Sequence, residues 1–214
     1  MEYRPVPKIA HYGLENCELM VFQGVGKYNI PYINGITEYE PTPFVRCDYL
    51  GDDICARKGN YAVDFCVDDK YFLGTWSHPE KWIMKLRGFK YVIAPDWSVY
   101  SNAPVMYNMW NHYRKHWLSA YWQYYGVNII PLIRWSLEDT FEWCFDGEPK
   151  NSVVFVSSIG VDKSVEVKEI FLKGFFCMME RLTPVKVLCL SNKTPLAEIV
   201  EYVTPVYRAR PYPK

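Results

Sequence analysis

Short, continuously apolar segments alternate with helix-forming segments from residue 62 to the end of the chain. The clearest are VVFV, within Ser152 to Val156, and VKVLCL, within Val185 to Leu190, and each precedes an amphipathic segment. Strands that are apolar throughout are typical of parallel sheets, because the crossover helices cover both faces of such a sheet. The alternation therefore predicts an α/β fold with a mostly parallel sheet covered by helices.

The order of these segments limits the architecture further. Strands are predicted at 62–67, 91–94, 127–133, 152–156 and 185–190, with a weaker sixth at 206–208. Helices are predicted at 77–87, 104–125, 137–145, 165–182 and 195–202. These strands are fewer than a complete (β/α)₈ barrel requires. The sheet is therefore either open, or a small or incomplete barrel to which the N-terminal third contributes.

The first 60 residues differ in character from the rest of the chain. Prolines and glycines interrupt each periodic segment there before a helix can form. We predict an irregular region of loops and short strands over 1–60 and repeated β-α units over 61–214. A length of 214 residues fits a single domain, and we expect one.

The composition excludes several classes of protein. The 24 Lys and Arg balance the 24 Asp and Glu, so attachment to nucleic acid through overall charge is not expected, whereas a local basic groove stays open. Disorder does not fit a chain that is 50% hydrophobic. Seven cysteines without a C-x-x-C pair argue against a disulfide framework and a zinc ribbon. With no membrane-length apolar run and no signal-peptide pattern, we expect a cytoplasmic protein with reduced thiols and no membrane association.

Asp96 is the strongest candidate for a catalytic residue. Parallel α/β folds bind ligands at the carboxyl ends of their strands, and the apolar segment 91–94 leads through Pro95 to this carboxylate. Its loop carries three ligand-binding candidates, Trp97, Ser98 and Tyr100. The setting suits a nucleophile or general base beside a stacking surface, and the alternative is a turn or helix-capping residue.

Asp68 and Asp69 form the second carboxylate candidate. They follow the predicted strand at 62–67, in which Asp64 also lies. Two carboxyl groups in different environments can divide the roles of acid and base, as in two-carboxylate hydrolases. Solvated turn residues are the alternative interpretation.

The later strand ends supply the remaining ligand-binding candidates, which are Arg134, Trp135, Ser157, Ser158, Gly160 and Asn192. The aromatic face of Trp135 suits stacking on a base or a sugar. The segment 157–160 lies between a strand and a helix, where hydroxyls and backbone N–H groups bind phosphate or carboxylate. An ordinary turn with a capping serine is the alternative.

The predicted helix at 104–125 has two contrasting faces. Residues at steps of three and four predict a buried stripe of Met106, Met109, Trp110, Tyr113, Trp117, Ala120, Tyr121 and Tyr124. The other face, predicted to be exposed, carries Asn108, His112, Lys115, His116 and Ser119. His112 and His116 have the spacing of two metal ligands, but the zincin glutamate is missing and no third ligand is evident. We therefore predict no metal site and no cofactor.

The segment from Ala94 to Trp135 carries a family resemblance. Its motifs are APDWSVY, P-x-x-x-N-x-W-N-x-Y-R-x-x-W and AYWQYYGVNIIPLIRW, and FDGEPKNSVVFVSSIGV continues them. They resemble an uncharacterised domain-of-unknown-function family of bacteria, plasmids and phages, over roughly residues 62–190. The resemblance implies a mobile-element context. It places Asp96, Asn108, Arg114, Trp135 and Gly160 within family motifs without assigned roles, and it implies no reaction. Asn108 is a further ligand-binding candidate.

Two main functions stay open at this point. The first is an enzyme acting on a nucleotide or nucleic acid, most concretely by glycosidic-bond cleavage or base exchange. Asp96 would then be the nucleophile or would face an oxocarbenium ion, assisted by Asp68 or Asp69. The second is a non-catalytic protein that binds a ligand or a host protein, for instance to block host defence. A purely structural interaction module is a third, and it predicts no polar pocket.

Overall fold

The computed structural model describes residues 3–4, 15–191, 196 and 198–205, and it has the predicted α/β architecture. Two short antiparallel pairs occupy the N-terminal region: β1 (Tyr3–Arg4) with β2 (Val21–Phe22), and β3 (Gly24–Val25) with β4 (Ile30–Pro31). The parallel strands are β5 (Phe44–Arg46), β6 (Ala62–Asp64), β7 (Tyr91–Ile93), β8 (Ile129–Ile130), β9 (Val153–Ser157), β10 (Lys186–Leu190) and β11 (Glu201–Val203). The helices are α1 (Asp52–Cys55), α2 (Gly74–Ser77), α3 (Pro79–Leu86), α4 (Val105–Tyr124) and α5 (Val165–Leu182).

The parallel strands form a closed ring in chain order. Strands β5 to β8 make a four-stranded sheet, and β9 to β11 make a three-stranded one. Parallel bridges join the two sheets at both edges, between Leu132 and Phe155 and between Phe44 and Pro205. The amide of Ile133 also donates to the carbonyl of Phe155 at 2.9 Å. The molecule is therefore a small parallel barrel, and β5, from the irregular N-terminal third, is one of its strands.

The strand register fixes which side chains lie inside the ring. The rings of Phe44 and Phe155 come from non-neighbouring strands, and their centroids are 5.6 Å apart, so they meet in the interior. Residues paired across a parallel ladder point to the same face, and the face alternates along each strand. Phe44 pairs with Ala62 and Arg46 with Asp64, so Arg46 and Asp64 point inward one layer nearer the carboxyl ends. The barrel interior therefore has an apolar layer that includes Phe44 and Ala62. A charged layer with Arg46 and Asp64 lies above it at the carboxyl ends of the strands, which we call the barrel mouth.

Two predicted helices near the carboxyl end differ from the structure. The segment 137–145 forms a 3₁₀-helix at Glu138–Glu142 and not an α-helix. The predicted helix at 195–202 is wrong where the structure describes it, because Glu201–Val203 is strand β11, paired in parallel with β10. Pairing with the otherwise open edge of β10 outweighs a short helical pattern. The predicted strand at 206–208 lies outside the described residues.

The prediction for the two faces of α4 is wrong. The polar residues Asn108, His112, Lys115, His116 and Ser119 are all at most 4% exposed. Met106 is 71% and Tyr124 52% exposed, although Trp117, Ala120 and Tyr121 are buried as expected. The polar face is buried because backbone carbonyl groups meet it: the Nζ atom of Lys115 donates to Leu132 at 2.8 Å.

Two further properties follow from the described residues. None of their helices is long and apolar enough to cross a membrane. All seven cysteines are free thiols.

Candidate functional site at the carboxyl end of the barrel

Asp96 and Arg134 form a bidentate ion pair at the barrel mouth, the end of the barrel where the strands have their carboxyl ends. Asp96 follows β7 and Arg134 follows the neighbouring β8, so the parallel order brings them together. The Nε atom of Arg134 lies 2.7 Å from Oδ1 of Asp96, and its Nη2 atom lies 2.8 Å from Oδ2. Burial alone would lower the pKa of Arg134, but the negative charge of Asp96 reverses this and raises it. Both carboxylate oxygens of Asp96 are therefore held by a permanent cation.

Asp64 is a second buried carboxyl group at this mouth. It ends β6 and is 1% exposed, and its Oδ1 atom accepts a hydrogen bond from the amide of Cys66 at 3.1 Å. Its Oδ2 atom has no hydrogen-bond partner in the described part of the chain. Burial raises the pKa of Asp64 to about 7; the Cys66 hydrogen bond and the charge of Arg46 oppose the rise, and the charges of Asp48 and, least, Asp96 add to it. Asp64 can thus give or take a proton near neutral pH.

Asp69 and Asp68 occupy different surroundings. The Oδ1 atom of Asp69 accepts a hydrogen bond from the Ser98 hydroxyl at 2.9 Å, and Oδ2 accepts one from the Ser98 amide at 3.3 Å. Partial burial raises the pKa of Asp69, and Asp69 ties its own loop to the loop that carries Asp96. The side chain of Asp68 is 56% exposed and lies 3.5 Å from Lys70. Asp68 therefore matches the solvated-turn alternative.

Trp97 does not provide the stacking face that its position suggested. It is 2% exposed. The guanidinium carbon of Arg114 lies 3.6 Å from its ring centroid, and the ring of Phe72 lies 4.8 Å away. These neighbours cover the indole, so a ligand cannot stack on it. Trp97 is therefore a buried packing residue of the loop after β7.

A cavity of about 300 Å³ brings together five of the sequence candidates, namely Tyr100, Arg134, Trp135, Ser157 and Gly160. Trp135 forms one wall of it and packs on Phe171 at a centroid distance of 5.3 Å. Close contact with α5 fixes the indole, because a Cβ atom on Gly174 would lie 2.2 Å from the Nε1 atom of Trp135. Arg134 contributes to both the Asp96 pair and the cavity, so the two are continuous.

The remaining candidates hold loops in place. The Oδ1 atom of Asn108 accepts a hydrogen bond from the backbone amide of Tyr100 at 3.0 Å, and its Nδ2 atom donates one to the carbonyl of Tyr100 at 2.8 Å. The hydroxyl of Ser158 lies within hydrogen-bond distance of the carbonyls of Leu190 and Ser191. The polar groups of these side chains form hydrogen bonds with backbone atoms. They therefore stabilise the loops at the mouth and are not directed at a ligand. Asn192 lies outside the described residues.

The loop at 157–160 does not lead directly into α5. Gly160 has a φ of +79° and precedes a 3₁₀-turn at Val161–Lys163, and Ser164 then caps α5 by accepting from the amide of Val167 at 3.3 Å. The 3₁₀-turn separates this loop from the start of α5, although Val167 in the first turn of α5 still lines the cavity. The nearby cations are Arg134 and Lys163, whose Nζ atom would lie 3.5 Å from a Cβ atom on Gly160.

A second buried polar cluster involves two histidines of α4. His112, His116 and Glu148 bring one ligand atom each to within 4.8 Å of one another. Glu148 is a candidate third ligand that the sequence pattern does not reveal. It lies in FDGEPK, in an irregular loop, and no spacing rule connects such a loop to a helix 32 residues earlier.

These features define a class: a small parallel α/β barrel with an acidic, arginine-paired mouth. The chain belongs to the family described as "Domain of unknown function (DUF4417)", which matches residues 22–205. The resemblance is confirmed, and the match begins in β2 and not at residue 62.

Two curated phage proteins are similar to the chain. The Gene 1 protein of Mycobacterium phage L5 is 34% identical over 197 residues, which covers 86% of this chain and 82% of that protein. The Gene 1 protein of Mycobacterium phage D29 is 30% identical over 190 residues, covering 86% and 70% respectively. No solved structure matches the chain. The protein is therefore of phage type.

Proposed function

We propose that this protein is an enzyme that cleaves or exchanges a glycosidic bond in a nucleotide or nucleic acid at the barrel mouth. One observation carries the proposal: the barrel mouth holds two buried carboxyl groups in unlike environments, Asp64 at the end of β6 and Asp96 after β7. Asp96 is held by a guanidinium group, whereas Asp64 has a free oxygen and a pKa near neutrality. Environments that separate two carboxyl groups in this way are typical of acid and base pairs.

The roles follow from these environments. Asp64 donates its proton to the leaving base as the glycosidic bond breaks and the bonding electrons move to the base. Asp96 faces the positive charge that develops on the sugar ring. Water, or an incoming base in an exchange reaction, then adds at the sugar carbon and returns a proton to Asp64. Asp69 positions the Asp96 loop through its hydrogen bonds to Ser98. In this proposal Asp64, and not Asp68 or Asp69 as the sequence suggested, is the proton donor.

The cavity beside the pair suits the rest of such a substrate. About 300 Å³ lies at the small end of the usual range for ligand pockets, roughly 300 to 1,000 Å³, and accommodates one nucleotide. The partly exposed ring of Trp135 offers a stacking face for the base. The Nη1 atom of Arg134 takes no part in the Asp96 pair, and with Lys163 it supplies positive charge for a phosphate.

The test is release of free base from a panel of ribo- and deoxyribonucleoside monophosphates and single-stranded oligonucleotides, followed by liquid chromatography and mass spectrometry. Asp64→Asn and Asp96→Asn should each lower turnover by about 10²- to 10⁴-fold. Asp52→Asn, at an exposed position in α1, is the matched control and should keep full turnover. Wild-type turnover should also fall as the pH rises through about 7, because Asp64 loses its proton there. A wild-type protein that releases no base from any substrate would refute the proposal.

A non-catalytic binding protein is the second candidate, and one observation favours it. Both oxygens of Asp96 are engaged by Arg134, so the pair can act purely as a positioning element for a bound ligand or host protein. Asp96→Asn would then weaken nucleotide binding in isothermal titration calorimetry, with no product from the wild type. Native mass spectrometry of freshly purified protein would identify a retained nucleotide or partner.

A further inference from the structure

The polar cluster at α4 is buried and joins two parts of the chain. His112 and His116 lie one turn apart on α4, and Glu148 comes from the loop before β9. Their exposures are 2%, 0% and 5%. Buried polar atoms normally find hydrogen-bond partners, so each nitrogen and oxygen of this cluster can be accounted for in turn.

His112 has one nitrogen without a partner. Its Nε2 atom lies 3.0 Å from the backbone carbonyl of Asp146, which can only accept, so Nε2 carries the proton. The Nδ1 atom is then a bare lone pair, and within the described residues it has no hydrogen-bond partner. This lone pair is buried without compensation.

His116 lies between two acceptors. Its Nδ1 atom is 2.9 Å from the carbonyl of Pro31, and its Nε2 atom is 3.1 Å from Oε1 of Glu148. A neutral imidazole has a single N–H, so it can satisfy only one of them. With a neutral ring, one nitrogen of His116 therefore meets its acceptor with a lone pair.

Glu148 also has an unused oxygen. Its Oε1 atom lies 2.5 Å from the Nζ atom of Lys115. Its Oε2 atom has no partner in the ranges that the structure describes. Lone pairs on His112, His116 and Glu148 are thus left over in one small volume.

We propose that His112, His116 and Glu148 bind a divalent transition-metal ion, with Zn²⁺ as the best fit. Two imidazoles and one carboxylate with an open fourth position are a ligand set that zinc accepts. An ion at this place satisfies Nδ1 of His112, Nε2 of His116 and the free oxygen of Glu148 together. This inference is independent of the reaction at the barrel mouth.

The surroundings match those of metal-bound histidines. Such histidines usually donate their other N–H to a carbonyl or carboxylate, and here His112 faces Asp146 and His116 faces Pro31 in that way. Ligand atoms around tetrahedral zinc lie about 3.3 Å apart, given metal–ligand distances of about 2.0 Å. One ligand atom from each of the three residues lies within 4.8 Å of the others, so the cluster is wider than a bound site and must contract around an ion.

A surface groove lies beside the cluster. It has a volume of about 860 Å³, and Asp146, Gly147 and Glu148 contribute to its lining. The groove exposes to solvent the loop that carries Glu148, whereas neither histidine contributes to its lining. Gly147 allows the close approach, because a Cβ atom there would lie 2.6 Å from Nδ1 of His116.

Lys115 competes with a metal ion for Glu148, because its ammonium group already forms an ion pair with that carboxylate. In the rival interpretation the cluster is a hydrogen-bonded network that requires no metal. The Lys115→Met variant separates the two. With a metal site, Zn²⁺ should raise the melting temperature of this variant by several degrees, since the ion replaces the lost cation. Without a metal site, Zn²⁺ should leave the melting temperature unchanged.

The main experiment measures binding of Zn²⁺ and Co²⁺ to the full chain, purified without a histidine tag and treated with EDTA. Plasma mass spectrometry should find about one Zn²⁺ per chain, and Co²⁺ should give visible d–d bands. His112→Gln with His116→Gln, and separately Glu148→Gln, should lose at least tenfold in affinity. His78→Gln removes a histidine that lies beside an exposed glutamate and is the matched control with unchanged binding. A wild type that retains no more metal than the double variant, or an unresponsive Lys115→Met, overturns the proposal.

Discussion

Replacing Asp64 by asparagine should change how the stability of the protein depends on pH. In the folded chain burial raises the pKa of this carboxyl group from 3.8 to about 7. Between these two values the folded state binds one more proton at this site than the unfolded state. Stability contributed by Asp64 is therefore complete below about pH 4 and is lost as the pH rises through about 7.

The size of the effect follows from the shift. One pKa unit corresponds to about 1.4 kcal/mol, so a rise of roughly three units corresponds to about 4 kcal/mol at most. Asparagine keeps an oxygen for the amide of Cys66 and has no charge to bury. Relative to the wild type, Asp64→Asn should therefore gain stability as the pH rises from 4 to 8, by up to about 4 kcal/mol.

Urea unfolding at half-unit pH steps, followed by tryptophan fluorescence, measures this difference. Asp52→Asn removes an exposed carboxylate and should follow the wild-type curve throughout. If the Asp64→Asn curve also runs parallel to the wild-type curve between pH 4 and 8, Asp64 is ionised normally. The assignment of Asp64 as a proton donor would then fail with it.

Three further substitutions test the packing of the mouth. Arg134→Met leaves the carboxylate of Asp96 buried and unpaired, and should cost about 3 to 5 kcal/mol in urea unfolding; a loss below about 1 kcal/mol contradicts the pair. Gly174→Ala should destabilise by about 1 to 3 kcal/mol and shift the Trp135 fluorescence, although alanine is the better helix former. Asn108→Ala should cost about 1 to 3 kcal/mol and speed proteolysis in the loop after β7, with unchanged cleavage counting against its bracing role.

The parts of the fold that local sequence determines were predictable. Helix α5 occupies the predicted bounds 165–182, because Ser164 caps it and a regular apolar stripe faces the sheet. Strand β5 was missed, since Phe44–Arg46 is three residues long and follows Pro41 and Pro43. Its strand character comes from pairing with β6, which no local pattern encodes.

The site was predictable in position and less so in its members. Strand polarity placed Asp96 and Arg134 at the same edge, but the choice between Asp64 and its neighbours depended on the direction of each side chain. Asp64 points inward because its register partner Arg46 does, and register is a property of the assembled barrel. The prediction of which face of α4 is buried was wrong for a similar reason. The carbonyls that receive its polar groups belong to Pro31, Leu132 and Asp146, far away along the chain.

Closure of the ring through Phe44 and Pro205 has a consequence for the protein during synthesis. The ribosome must pass residue 205 before β5 can meet its last neighbour, so the barrel cannot close from the strands of its N-terminal half alone. Until then β5 presents an unpaired parallel edge, the kind of surface that recruits other nascent chains into aggregates. A premature stop before residue 205 would make that transient edge permanent.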